Sequence, residues 1–253
     1  MSYPIVTGPA ERGVTVRCLN VSRTYQVDEE TVHALQEVSI TIRPGESVAI
    51  FGPSGSGKST LTALLAGLRR PSSGQVWIGE DELSGLSQSQ LLRLRGSMIG
   101  IVLQNPSRTL LPYGTAEDNI VFARRPLSSA AARRLAPPVE LLRALGLAEL
   151  AGRPVAGLSG GEQQRLSIAV AMSRAPGLLL ADEPTSQLDS ANRDRAVEVL
   201  GRIGQEFGTT IAVVTHDPVV ADATDRRITL SEGHVVDDGT MGGTDSALRR
   251  WRR

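Results

Sequence analysis

Apolar positions divide the chain into short strands and amphipathic helices. Val14, Val16 and Cys18 alternate with polar residues, which predicts a strand over Val14–Val21. Tyr25 follows in a polar stretch that runs to Glu30. A second strand is predicted over Val32–Ile42, closed by the turn Arg43-Pro44-Gly45-Glu46. These two predict a β-layer beside the apolar run Ser47-Val48-Ala49-Ile50-Phe51, after which Leu61, Leu64, Leu65 and Leu68 recur at helical spacing.

Further on, Arg69–Gly74 reads as a turn, Gln75–Ile78 as a short strand, Leu91–Arg95 as a helix and Met98–Leu103 as a buried strand ending at Gln104. From Asn105 to Arg153 the chain is rich in Ala, Leu and Arg, with helices predicted over Ala116–Ala123 and Val139–Leu150. Gly157–Arg165 opens another helix, with Leu166, Ile168, Ala169 and Met172 on its apolar positions. Leu178–Ala181 reads as a buried strand ending in Asp182-Glu183, Ala196–Phe207 as an amphipathic helix, and Thr210–Val214 as a buried strand with His216 close behind. Arg227–Leu230 and His234–Val236 form a hairpin about Ser231-Glu232-Gly233. Strands alternating with helices predict an α/β fold with a mostly parallel sheet and ligands at the carboxyl ends of its strands. The expected division is a flexible leader over 1–13, an α/β core over 14–104 and 154–239, an inserted helical subdomain over 105–153, and a basic tail over 240–253.

A length of 253 residues allows a substantial core. The 27 basic residues balance the 27 acidic ones, so no nucleic-acid partner is expected on the strength of global charge. Cys18 is the only cysteine, which excludes a disulfide within the chain and a cysteine-based zinc site. No apolar run approaches the roughly 18 residues of a membrane-spanning helix, and the N-terminus lacks the apolar core of a signal peptide. The expectation is a cytoplasmic protein that meets a membrane through a partner or a surface contact.

The chemistry concentrates between the strand ending at Phe51 and the helix that follows. Gly52-Pro53-Ser54-Gly55-Ser56-Gly57-Lys58-Ser59, followed by Thr60, fits GxxxxGK[ST], in which backbone N–H groups and a helix N-terminus converge on phosphate. The four fixed positions arise by chance in roughly 1% of chains this long, before the flanking strand and helix are counted. Lys58 is placed for the β- and γ-phosphates and Ser59 for Mg²⁺. Asp182 and Glu183, at a strand end, suit Mg²⁺ held through water and a general base on an attacking water. Taken alone, His216 reads more readily as a capped core histidine than as a site residue and Gln104 is unremarkable; their places at strand ends move both toward the γ-phosphate. Tyr25 is a candidate to stack on adenine. Ser159-Gly160-Gly161 before a helix is a second anion-binding N-terminus, best explained as completing another subunit's site.

Together these residues resemble the ATP-binding cassette family. Gly52–Ser59 matches its Walker A loop, Gln104 its Q-loop, Leu158-Ser159-Gly160-Gly161-Glu162 its signature, Leu178–Asp182 its Walker B strand and Glu183 its catalytic glutamate. Ser186-Gln187-Leu188-Asp189 matches its D-loop, His216 its switch histidine and Tyr25 its A-loop aromatic. The resemblance implies a P-loop NTPase core that binds ATP and Mg²⁺ and hydrolyses ATP, with Ser59, Gln104 and Asp182 around the metal. It implies a head-to-tail dimer with a second copy of the chain, in which Ser159, Gly160, Gly161 and Glu162 act in trans. A finer resemblance, carried by Val32–Leu35, Gln104–Pro112 and Thr115–Ile120, is to the lipoprotein-release, macrolide-export and cell-division ATPases. That implies an integral-membrane permease as partner and a place on the cytoplasmic face of the inner membrane. The alternative is a soluble cassette ATPase in an assembly or repair complex. The tail Leu248–Arg253, basic with one tryptophan, is a candidate to touch anionic lipid.

Overall fold

Two sheets form where the apolar pattern places strands. The computed structural model describes residues 12–28 and 30–240; the leader over 1–11 and the tail from 241 onward lie outside the described residues. In chain order the elements are β1 (Val16–Val27), β2 (Glu30–Ile42), β3 (Ser47–Phe51), α1 (Lys58–Leu65), β4 (Ser73–Ile78), β5 (Asp81–Glu82), α2 (Gln88–Ser97) and β6 (Ile99–Val102). There follow α3 (Ala116–Arg124), α4 (Ser129–Ala132), α5 (Pro138–Ala144), α6 (Gly160–Met172), β7 (Leu178–Asp182), α7 (Ser190–Phe207), β8 (Thr210–Thr215), α8 (Pro218–Asp222), β9 (Arg226–Ser231) and β10 (His234–Thr240).

Among the described residues, the first sheet is antiparallel in the order β2-β1-β4-β5 and the second runs β10-β9-β3-β8-β7-β6. In the second sheet every neighbouring pair is parallel except the β9–β10 hairpin. The register aligns the carboxyl ends that matter: Phe51 faces Thr215, Asp182 faces Val214, and Val102 faces Ala181. One edge of this sheet therefore receives the phosphate loop, Gln104, Asp182-Glu183 and His216 together.

β5, α4 and α8 are not predicted by the periodicity, and four further elements depart from it for a visible physical reason. β1 continues to Val27, so Tyr25 lies in a strand opposite Val32 instead of in a polar loop; bulges between Cys18 and Thr24 shift its register and break the alternation. α1 ends at Leu65, because Gly67 turns left-handed (φ +61°) and the N–H groups of Gly67 and Leu68 close back on Leu64 and Ala63 at 2.9 Å. Leu68 is thereby outside the helix and 57% exposed. The helix expected over Val139–Leu150 is broken the same way: Gly146 (φ +71°) ends α5, Leu147 N–H bonds Leu142 O at 2.7 Å, and a single 3₁₀ turn follows over Ala148–Leu150. α7 starts six residues before Ala196, where the Asp189 carboxylate caps the N–H of Asn192 at 2.8 Å.

Two apolar clusters hold these layers. One joins β1, β2 and β4 to α1 and the faces of β3, β8 and β9 through residues such as Ile42, Ile50, Leu64 and Ile78. The other joins Ile120, Leu142, Leu145 and Leu150 of the 105–153 segment to Leu166 and Ile168 of α6 and to Leu179 and Val213 of the sheet. Within α7, a Cβ on Gly204 would sit 3.6 Å from the Ile211 side chain, an ordinary contact. Gly204→Ala is therefore expected to raise stability by about 0.5–1 kcal/mol through helix propensity. A thermal melt checks this; a lowered midpoint contradicts it.

Candidate functional site

The phosphate loop keeps its path because its glycines have no side chains. At Gly52 (φ +153°) a Cβ would lie 2.2 Å from Leu230 O, and at Gly57 (φ +101°) 2.4 Å from Ala34 O. Gly57 also caps α1 without a side-chain bond, which leaves the first-turn N–H groups of that helix to an anion. Lys58 is buried in the loop and its Nζ donates to Gly52 O at 2.8 Å and Pro53 O at 2.7 Å. Ser59 beside it is exposed.

At the end of β7, Glu183 is left-handed (φ +46°), an uncommon conformation for a residue with a side chain, and its N–H is tied to Val214 O at 2.9 Å. Its Oε1 meets His216 Nδ1 at 2.9 Å, while Oε2 is buried without a partner. Asp182 Oδ1 is likewise buried and unpartnered. Burial first, then the neighbouring Glu183 charge, raises the Asp182 carboxyl above its usual range; Lys58 opposes them. An orphaned carboxylate oxygen held beside another carboxylate fits a hard cation, so the residues present suit Mg²⁺. Gln104 Nε2 donates to Ser186 Oγ at 3.1 Å, and that hydroxyl donates to Glu183 O at 3.1 Å.

One cleft of about 670 Å³ is lined by Pro53, Ser54, Gly55, Gly57, Lys58, Ser59, Thr60, Gln104, Glu183 and His216, while Asp182 lies outside that lining, next to Glu183. Its remaining wall is Val32, His33 and Ala34 of β2, which the sequence reasoning did not place at the site. No spacing signals them; the packing of one sheet against the other brings them there. Ser56 is buried in the loop, its Oγ unpartnered. Tyr25 lies outside the lining, with the Arg23 guanidinium 4.6 Å from its ring centroid.

Ser159, Gly160, Gly161 and Glu162 do not line this cleft. They form the first turn of α6, where Ser159 Oγ accepts from Glu162 N–H at 3.3 Å. The Glu162 carboxylate accepts in return from Ser159 N–H at 2.8 Å and from Ser159 Oγ at 2.9 Å, a reciprocal cap. The Ser159 N–H bond does most to hold Glu162 below the usual carboxylate range, with the Ser159 hydroxyl and Arg153 assisting and burial opposing. Gly161 is pressed against the Asn192 side chain, where a Cβ would meet Oδ1 at 2.3 Å, while nothing lies within 4 Å of a Cβ on Gly160.

A family model described as ABC transporter matches residues 35–186. The chain is also 37% identical over 238 residues to the uncharacterized ABC transporter ATP-binding protein MJ0796 of Methanocaldococcus jannaschii, with 91% of this chain and 99% of the relative covered. The chain belongs to the ABC transporter family. It is an ABC-type ATPase with the α/β fold of that family. A lipoprotein-releasing system ATP-binding protein, LolD of Anaeromyxobacter dehalogenans, is 39% identical over 240 residues, with 94% and 97% covered. A macrolide export ATP-binding/permease protein, MacB of Marinobacter nauticus, is 41% identical over 219 residues; the match takes in 87% of this chain and 34% of MacB, so this ABC cassette spans about a third of that relative. Among solved structures, a dimeric post-hydrolysis state of MJ0796 bound to ADP and Pi matches with a TM-score of 0.77 at 37% identity, over 90% of this chain and 99% of that one.

Proposed function

We propose that this chain is the nucleotide-binding subunit that powers a membrane ABC transporter or mechanotransmission complex by closing as a head-to-tail dimer on two ATP molecules. The observation that carries this reading is the division of the site. Lys58, Ser59, Gln104, Glu183 and His216 face one cleft, while Ser159 and Gly160 lie exposed at the start of α6 outside its lining, with nothing within 4 Å of a Cβ on Gly160. One chain thus holds both halves of a phosphate site but does not bring them together; a second copy turned head to tail would. The solved MJ0796 structure, a dimer bound to ADP and Pi, supports a reading in which two cassettes pair with nucleotide bound.

In the proposed site Tyr25 stacks on adenine and the loop Gly52–Thr60 cradles the phosphates, with Lys58 on the β- and γ-oxygens. Ser59, Asp182 and Gln104 would hold Mg²⁺, which supplies charge neutralisation on the phosphates. Glu183 accepts a proton from the attacking water as its oxygen bonds to the γ-phosphorus and the β–γ bridge breaks, giving ADP and phosphate. His216, bonded to Glu183 Oε1, orients that carboxylate. Ser159, Gly160, Gly161 and Glu162 close the site from the partner copy.

An integral-membrane permease is the proposed second partner, docking on the 105–153 segment; that the relative MacB is named an ATP-binding/permease protein supports a permease as partner. Leu111 and Tyr113 stand exposed just after Gln104, Tyr113 by 95%, and Val121 and Phe122 are exposed on α3. Among the described residues no helix is long and apolar enough to cross a membrane, so contact through a permease on the cytoplasmic face fits this reading. Complementation tests the dimer. Ser159→Arg and Lys58→Ala chains, each expected to be inactive alone, should recover up to about a quarter of parental ATPase activity per chain when mixed, because some mixed dimers carry one intact site. No recovery on mixing overturns the shared site.

A further inference from the structure

The N-terminus of α6 carries a full negative charge where, on the reading above, it must receive another. Glu162 Oε2 accepts from Ser159 N–H and Oγ, which places that charge on the helix end a partner's γ-phosphate would approach. Glu162 Oε1 accepts from Arg153 Nη1 at 2.7 Å. Arg153 is fixed from two other sides: Nη2 donates to Gly157 O at 3.1 Å, and its own carbonyl accepts from Ala116 N–H at 3.1 Å at the start of α3. Arg165, one turn along α6, is the other cation that senses Glu162, but its guanidinium is engaged by Asn192 Oδ1 at 3.2 Å.

We propose that Arg153 is a positioning residue for the signature. Its guanidinium cancels the Glu162 charge and holds that carboxylate to its cap, so that the helix end can accept a phosphate carried by the partner. This rests on the head-to-tail reading above and deepens it. Like charges brought together at an interface oppose association; without Arg153 the Glu162 carboxylate repels the incoming triphosphate. The pair itself is half exposed, with side-chain exposures of 46% and 21%, and such pairs add little to folding stability. Its value therefore lies in the encounter with nucleotide. Because Arg153 also anchors the start of α3, it links the segment proposed to dock the permease to the signature.

The test measures ATP-dependent dimerisation by sedimentation in a Glu183→Gln background. Arg153→Gln is expected to weaken the dimer about tenfold, or about 1.4 kcal/mol. Adding Glu162→Gln, which keeps the reciprocal cap, is expected to restore it to within about twofold. Arg153→Lys, which keeps the charge without the fork, is expected to dimerise as the background chain does. Binding of a fluorescent ATP analogue to the monomer should not change in any of them, since Arg153 lies off the cleft. A purely structural role for Arg153 predicts no rescue by Glu162→Gln, and that result overturns the proposal. So does parental dimerisation of Arg153→Gln, or a loss in Arg153→Lys as large as in Arg153→Gln. Failure of the Glu183→Gln background itself to dimerise with ATP instead overturns the head-to-tail reading, and the inference with it.

Discussion

Glu183→Gln is expected to lower ATP turnover by about 10²–10⁴-fold while leaving ATP binding intact. General-base catalysis by a positioned carboxylate contributes a factor of that order, and the amide cannot take the proton. The substitution is nearly isosteric, so the left-handed backbone at 183, its N–H bond to Val214 O and the contact with His216 should persist. It also removes the neighbouring charge that, after burial, raises the Asp182 carboxyl, which favours retained nucleotide. Phosphate release, equilibrium binding and sedimentation read the three quantities separately. The expected pattern is slow release, unchanged or tighter binding, and a dimer that accumulates with ATP. Turnover at the parental rate would remove Glu183 from the base role.

Lys58→Ala is expected to weaken ATP binding by about 30–150-fold. An ion pair at about 4 Å in an effective dielectric near 20 is worth roughly 4 kcal/mol before desolvation is charged against it, and two to three remain as a working figure. The ammonium also holds Gly52 O and Pro53 O, so its loss frees two carbonyls inside the loop. Titration with a fluorescent ATP analogue measures the loss. Affinity equal to the parent's would mean that the loop backbone alone binds the triphosphate.

Much of this site was legible along the chain because each piece sits where a regular element stops. Buried strands read as apolar runs, and the polar residue that ends each run is forced to the sheet edge. That argument places Asp182, Glu183, Gln104 and His216 without any coordinates, and the register of β6, β7, β8 and β3 brings them together. Glycines read less well. Those of the phosphate loop declare themselves by spacing, whereas Gly67 and Gly146 act through a backbone dihedral, and apolar spacing runs straight past them through Leu68 and Leu150. Val32, His33 and Ala34 were illegible at the site for another reason. They reach the cleft by packing one sheet against another, and no local pattern encodes which surfaces meet. The Arg153–Glu162 pair lies nine residues apart across a 3₁₀ turn, outside the helical spacings at which ion pairs are usually sought.

The placement of β3 bears on how the molecule is made. Its hydrogen-bonding neighbours are β8 and β9, both synthesised more than 150 residues later. Until the ribosome has released that last sixth of the chain, the strand that ends in the phosphate loop has neither edge satisfied. Long-range pairing of this kind makes folding slow and leaves exposed strand edges open to misassembly. A nascent chain stopped before Thr210 would therefore have every residue of the loop but neither neighbour of the strand that carries it.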